Sequence, residues 1–166
     1  LLARLAPTRL AFCWPWRGEV DLVPWMNRWL AADPARQAAL PVVLTPARPM
    51  GFLRWHPGAP MAKDHHGIPI PGGDERIEPE LLLVPLNVFD AAGYRLGYGG
   101  GYFDRTLAAV DPKPKTVGVA FELARADTTW PQAHDQPMDW IVTETGSRQA
   151  DKRETRAAMR ESDIRG

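Results

Sequence analysis

Three uninterrupted apolar runs constrain this chain most: Leu81-Leu82-Leu83-Val84, Val117-Gly118-Val119-Ala120 and Ile141-Val142. A strand with one wet face alternates apolar and polar residues, whereas these runs suit strands covered on both faces, as in a parallel sheet between helices. Short apolar runs separated by glycine, proline and helical spacings repeat along the chain, which predicts an α/β layered domain with a mainly parallel sheet flanked by helices. At 166 residues with 45% hydrophobic content, one substantial core is expected. The domain is expected over residues 1–146, followed by a basic polar tail or solvated helix over residues 147–166.

The other elements follow from local signals. Residues 10–14 read as the first strand. Asp21 is positioned to cap a helix with Pro24 in its first turn and the (i, i+4) pairs Trp25/Trp29 and Met26/Leu30, ending near Asp33-Pro34. Residues 41–45 and 50–55 are candidate strands, and in the second Phe52 and Arg54 alternate with Leu53 and Trp55. Residues 57–79, dense in Gly, Pro, His and Asp, read as an irregular excursion over a site rim. Strands are expected over residues 81–84, 116–121 and 140–143, and a short helix over 103–110.

The formal net charge is zero, so no global field points to nucleic acid or an anionic membrane. No apolar run approaches the ~20 residues that span a bilayer. The single Cys13 lies in an apolar stretch, which suits a buried structural thiol in a reducing compartment. A cytoplasmic, monomeric protein that takes small-molecule substrates is expected.

The chemistry concentrates in Arg95-Leu96-Gly97-Tyr98-Gly99-Gly100-Gly101-Tyr102-Phe103-Asp104-Arg105. Glycines at four of five positions let backbone N–H groups converge on an anion, and the helix expected next adds its N-terminal amides and dipole. Polyphosphate is the natural guest, with Asp104 able to hold Mg²⁺ against it. The segment fits neither the P-loop nor the dinucleotide-binding pattern, and a plain glycine-rich turn is the competing reading. Asp135 is a second candidate Mg²⁺ ligand, or a turn cap before Pro137. Trp14-Pro15-Trp16-Arg17-Gly18-Glu19 offers aromatic faces and a carboxylate to a flat heterocycle, or else Trp14 is core and Glu19 a surface charge. Asp64-His65-His66 has metal-like residue types, but adjacent side chains rarely form one compact ligand set.

Residues 97–105, together with Trp16-Arg17-Gly18-Glu19, Gly67-Ile68-Pro69, Phe89-Asp90 and His134-Asp135, resemble the 5-formyltetrahydrofolate cyclo-ligase (5,10-methenyltetrahydrofolate synthetase) family. The resemblance runs in order over residues 10–146. It implies a fold similar to that of sugar-phosphate isomerases and coenzyme A transferases. It also implies ATP-dependent closure of 5-formyltetrahydrofolate to 5,10-methenyltetrahydrofolate, with ATP and Mg²⁺ required. Carried over residue by residue, it implies that Gly97, Tyr98, Gly99, Gly100, Gly101, Tyr102, Phe103, Asp104 and Arg105 bind ATP, with Tyr102 and Arg105 catalytic. Asp104 and Asp135 would hold Mg²⁺, and Trp14, Glu19, His66 and Tyr102 would bind the folate. The chain departs from the family pattern at His66, where an aromatic usually precedes Gly-Ile-Pro, and at Ile70, where a Glu usually follows it. The tail over residues 151–160 resembles the family's basic N-terminal helix, so Lys152 and Arg153 are expected to supply phosphate-binding charge, the competing reading being chance similarity in a basic helix.

Overall fold

The computed structural model describes residues 1–151. In chain order the elements are α1 (Leu2–Leu5), β1 (Arg9–Ala11), α2 (Val23–Ala31), β2 (Gln37–Val42), β3 (Gly51–Trp55), β4 (Met61–Lys63), β5 (Pro69–Pro71), β6 (Leu81–Pro85), β7 (Val88–Phe89), β8 (Arg95–Leu96), α3 (Tyr102–Ala109), β9 (Lys115–Val119), a 3₁₀ turn (Glu122–Ala124), β10 (Trp140–Thr143) and β11 (Gly146–Gln149). A seven-stranded sheet has the order β11-β10-β9-β6-β1-β2-β3. Its inner strands β10, β9, β6, β1 and β2 run parallel, and β11 and β3 close the two edges antiparallel. The protein is thus a mixed α/β domain with a largely parallel central sheet flanked by helices.

The apolar runs do what their continuity requires. In β6, Leu82 and Val84 enter one core cluster while Leu81 and Leu83 enter the other, on the opposite face. The first cluster also takes Phe52, Phe89, Leu107, Met138 and Ile141, with Phe103 of α3 packed against it. The second takes Met26 and Trp29 of α2, Phe12, Leu40 and Trp55, and the leucines of α1 pack on its margin. Each fully buried Leu or Phe contributes about 1.5–3 kcal/mol, so the two clusters fix which face of every strand points where. Gly118 of β9 leaves no room for a side chain, since a Cβ there would overlap Leu86 and Ile141.

Helix α2 forms as its pattern predicts. Pro24 lies in its first turn, and the Trp25 and Trp29 rings stack with centroids 6.3 Å apart. Leu22, not Asp21, is the capping residue; Asp21 Oδ1 instead accepts the Val23 N–H at 2.9 Å. Strand β10 falls on its expected residues, β3 starts one residue later, and α3 and β9 each begin one residue earlier.

Four expectations are corrected. Strand β1 stops at Ala11, although the Phe12 N–H still donates to Ala39 O, because the chain then turns out over the sheet end. The second strand lies at Gln37–Val42, ahead of the expected 41–45, because Ala38, Ala39 and Leu40 fill the buried positions. Residues 57–79 are not wholly irregular but contain the β4–β5 hairpin. The helix expected from Ser147 onward is, through Gln149, the edge strand β11, which pairs Ile141 with Arg148 and Val142 with Ser147. A polar strand is legitimate there, because its outer edge has no neighbouring strand to bury it. Lys152 and Arg153 lie outside the described residues.

Candidate functional site

In open parallel sheets ligands gather beyond the carboxyl ends of the strands. The loops that follow β1, β2, β6 and β9 all leave from that edge, and the glycine segment joins them there. It does not follow β6 directly: the β7–β8 hairpin intervenes, and residues 97–101 lead from β8 into α3. Tyr102 Oη accepts the Ala47 N–H at 3.5 Å and Thr106 Oγ1 accepts the Met50 N–H at 2.9 Å, which fastens α3 to the loop after β2.

Gly99 and Gly101 have φ of 81° and 61°, and Gly101 is the residue on which α3 starts. Among the described residues, the backbone N–H groups of residues 98–101 donate no hydrogen bond. Unspent amides running into a helix N-terminus are able to receive an anion. Arg105 lies across it. Its guanidinium sits 4.9 Å from the Tyr102 ring centroid and donates through Nη2 to Gly100 O. Its buried Nε has no hydrogen-bond partner among the described residues.

Asp104, in the first turn of α3, is held from two sides. Its Oδ1 accepts Arg95 Nη2 and the Gln136 N–H, both at 2.9 Å. Asp104 therefore abuts the backbone next to Asp135, so the segment carrying the second candidate carboxylate does reach the first. Asp135 itself is occupied locally: Oδ2 accepts the Gln132 N–H at 2.7 Å, and Oδ1 lies 3.5 Å from His134 Nε2. Among the described residues, no group of three or more His, Cys, Asp or Glu could hold a metal ion alone.

The turn after β1 builds a second part of the site. Glu19 Oε2 accepts the Trp16 N–H at 3.1 Å, and the Glu19 N–H returns to Trp16 O, so the turn closes on itself. Burial holds the Glu19 carboxyl above its ordinary range, against the opposing effect of the Trp16 hydrogen bond. Glu19 lines a cavity of about 140 Å³ with Gly18, Pro85, Asn87, Phe121 and Leu123 among its walls. Trp14 packs partly into the core, edge-on to Trp55 at 6.3 Å. Trp16 instead meets the tip of the β4–β5 hairpin: a Cβ on Gly67 would lie 3.9 Å from its Cη2. That contact draws His66 toward the Glu19 turn. His66 is exposed, its ring centroid 3.8 Å from that of His65. Asp64 caps the hairpin tip, accepting the His66 and Ile68 N–H groups, which gives it a structural task in place of a metal. Burial, and to a lesser degree Glu19, push the Cys13 thiol far up, which makes it a poor nucleophile.

A wider cleft of about 260 Å³, lined by Pro7, Glu80 and Lys115, opens at the amino ends of β6 and β9, away from these loops. Its carboxylate is already spent on Thr8 and Arg9.

Three residues that matter here have roles that the sequence did not show. Arg95 joins Asp104 to the chain at Gln136. Asp90, buried, accepts the Tyr94 N–H with Oδ1 and the Thr129 N–H and hydroxyl with Oδ2, fixing the β7–β8 turn. Glu122 accepts Thr143 Oγ1, Arg125 and Arg148 and anchors the 3₁₀ turn that carries Leu123. A lone charge within a polar loop does not announce its partner, and all three act through residues distant in sequence.

Comparison with known proteins identifies the family. The sequence pattern of the 5-formyltetrahydrofolate cyclo-ligase family matches residues 28–144. The 5-formyltetrahydrofolate cyclo-ligase of Escherichia coli K12 is 33% identical over 135 residues, 76% of this chain and 72% of that protein. The Haemophilus influenzae cyclo-ligase is 34% identical over 93 residues, 52% of this chain and 50% of its own. Among solved structures, the 5,10-methenyltetrahydrofolate synthetase of Aquifex aeolicus superposes with a TM-score of 0.73 at 32% identity, covering 87% of this chain and 73% of that one. The synthetase of Mycoplasma pneumoniae, at 22% identity and a TM-score of 0.65 over 85% of this chain and 76% of its own, shares the fold. The chain belongs to the 5-formyltetrahydrofolate cyclo-ligase family.

Proposed function

We propose that this protein is an ATP-dependent ligase that converts 5-formyltetrahydrofolate to 5,10-methenyltetrahydrofolate, releasing ADP and phosphate. The observation that carries the reading is the glycine segment with unspent N–H groups at the start of α3, crossed by an arginine whose buried Nε has no partner. That is a receptor for polyphosphate, and family membership supplies ATP and folate as its users.

The formyl oxygen attacks the γ-phosphorus of ATP, and ADP leaves. The neighbouring folate nitrogen then adds to the activated carbon and loses its proton. The carbon–oxygen bond breaks, phosphate departs with the former formyl oxygen, and the methenyl bridge remains. An amide-like oxygen leaves poorly until phosphorylated, so holding the two substrates in line and neutralising phosphate charge are the protein's main tasks. Backbone N–H groups over residues 98–101 bind the phosphates, Arg105 turns its guanidinium onto the transferring group, and Tyr102 bounds the path between the substrates. The free Glu19 oxygen accepts a ring N–H of the pterin, with Trp14, Trp16 and His66 near the same turn.

The residues fit Mg²⁺ that is held mostly by phosphate and water: Asp104 Oδ2 accepts no hydrogen bond among the described residues, and Mg²⁺ takes one or two carboxylates at such sites. Asp135 would supply the second after releasing its turn. When bound, the ion screens the charge of the phosphates during transfer.

Incubation of the purified protein with 5-formyltetrahydrofolate and MgATP tests the reading. Formation of methenyltetrahydrofolate in step with ADP is expected. Binding of both substrates without turnover would identify a non-catalytic relative, for which the His66 and Ile70 departures are the place to look.

A further inference from the structure

Arg95 is nearly buried, with 8% of its side chain exposed, and it does not line the cavity beside Glu19. Both terminal nitrogens of its fork are engaged: Nη2 donates to Asp104 Oδ1 at 2.9 Å and Nη1 donates to Gln136 O at 2.8 Å, while the guanidinium lies 5.7 Å from the Phe103 ring centroid. The Gln136 N–H closes the set on the same Asp104 oxygen. Lys113 Nζ holds the other end of Gln136 by donating to its Oε1 at 2.8 Å. Strand β8, the first turn of α3 and the sequence-distant loop over residues 132–138 therefore meet on one guanidinium.

We infer that Arg95 is a positioning residue that selects which oxygen of Asp104 is offered to a divalent cation and holds the Asp135 loop against Asp104. With Oδ1 saturated by two donors, the carboxylate cannot rotate without breaking both bonds, and Oδ2 is the oxygen left for a ligand. A planar guanidinium that spans Asp104 Oδ1 and Gln136 O gives this geometric control, whereas a lysine would supply the same charge as a point without the fork. The inference rests on the proposed use of Asp104 with nucleotide, and partners that orient a metal ligand are worth about 10–100-fold in metal affinity.

The test is Arg95→Lys in the full chain, with Mn²⁺ titrated against the complex with a non-hydrolysable ATP analogue and followed by electron paramagnetic resonance, which needs no turnover. The expected result is Mn²⁺ binding weakened about 10–100-fold, nucleotide affinity without metal unchanged, and faster hydrogen exchange at the Gln136 amide. Mn²⁺ affinity equal to wild type, with only the Gln136 exchange altered, would overturn the inference and leave Arg95 a structural clamp. Weakened binding of the metal-free nucleotide would overturn it in favour of direct phosphate contact, and so would wild-type protein that binds no Mn²⁺ with nucleotide. Should Arg95→Glu or Arg95→Ala fail to fold, Arg95→Lys and Arg95→Gln still decide. Wild-type protein that binds Mn²⁺–nucleotide yet forms no methenyltetrahydrofolate defeats the proposed reaction without touching this inference.

Discussion

At the scale of single residues, Glu19 sets stability against binding. Its folded-state carboxyl is raised above the ordinary value of 4.5 by burial, so the stability it contributes is present at low pH and lost as pH rises through the raised value. Glu19→Gln keeps an acceptor for the Trp16 N–H and removes the buried charge. The variant should melt above wild type at pH 7, and the difference should disappear below the ordinary carboxyl range; an unchanged difference across that range would contradict the burial argument. The same substitution should raise the KM for 5-formyltetrahydrofolate about 10–100-fold, the worth of a hydrogen bond to a charged group, and leave the KM for ATP in place. Asp104→Asn tests the other carboxylate. An amide oxygen still accepts Arg95 and Gln136, so the fold should lose about 1–3 kcal/mol. Activity measured well below the melting transition should fall about 100-fold or more, because several kcal/mol of charge stabilisation goes with the carboxylate. Asp104 was legible in sequence as the residue closing a glycine segment. Its partner Arg95 was not, since the same segment offers Arg95 and Arg105 alike, and only the fold shows one turned into a clamp and the other across the loop.

At the scale of elements, the proposed function places phosphate binding at the junction between the glycine segment and α3. Gly101 starts the helix at φ 61°, and a Cβ there would lie 2.9 Å from Arg105 Nη1. Gly101→Ala should cost about 1–2 kcal/mol for the left-handed backbone and push the guanidinium off Gly100. The KM for ATP should rise while folate binding holds, as separate titrations of the two ligands would show; an equal loss of both would mean general unfolding of the edge. The elements themselves were readable to differing degrees. Strands β6, β9 and β10 and helices α2 and α3 announced themselves because their apolar positions face packed neighbours. The β4–β5 and β7–β8 hairpins did not, being built of strands of two or three residues ordered by contacts such as Asp64 with the His66 N–H and Asp90 with Thr129. Strand β11 carries charge because it is an edge, and a charged stretch of sequence reads equally well as a solvated helix.

At the scale of the whole molecule, the parallel sheet brings to its carboxyl edge loops that are far apart in sequence, so the anion-receptive segment and the turn carrying Glu19 leave the same end of one rigid core. Among the described residues no helix is long and apolar enough to cross a membrane. Residue types at the edge were legible in sequence, and their tethering was not. Asp104 touches the chain at Gln136 and Trp16 nears Gly67 only because β6 and its neighbours set the spacing between the loops. The central claim is that this edge transfers a phosphoryl group to the formyl oxygen before the ring closes. It is tested most directly by supplying 5-formyltetrahydrofolate labelled with ¹⁸O in the formyl group, with ATP and Mg²⁺, and analysing the phosphate by mass spectrometry. One ¹⁸O in each phosphate released, with equal amounts of ADP and methenyltetrahydrofolate, is the predicted result; unlabelled phosphate, or ring closure that proceeds without ADP formation, would contradict it.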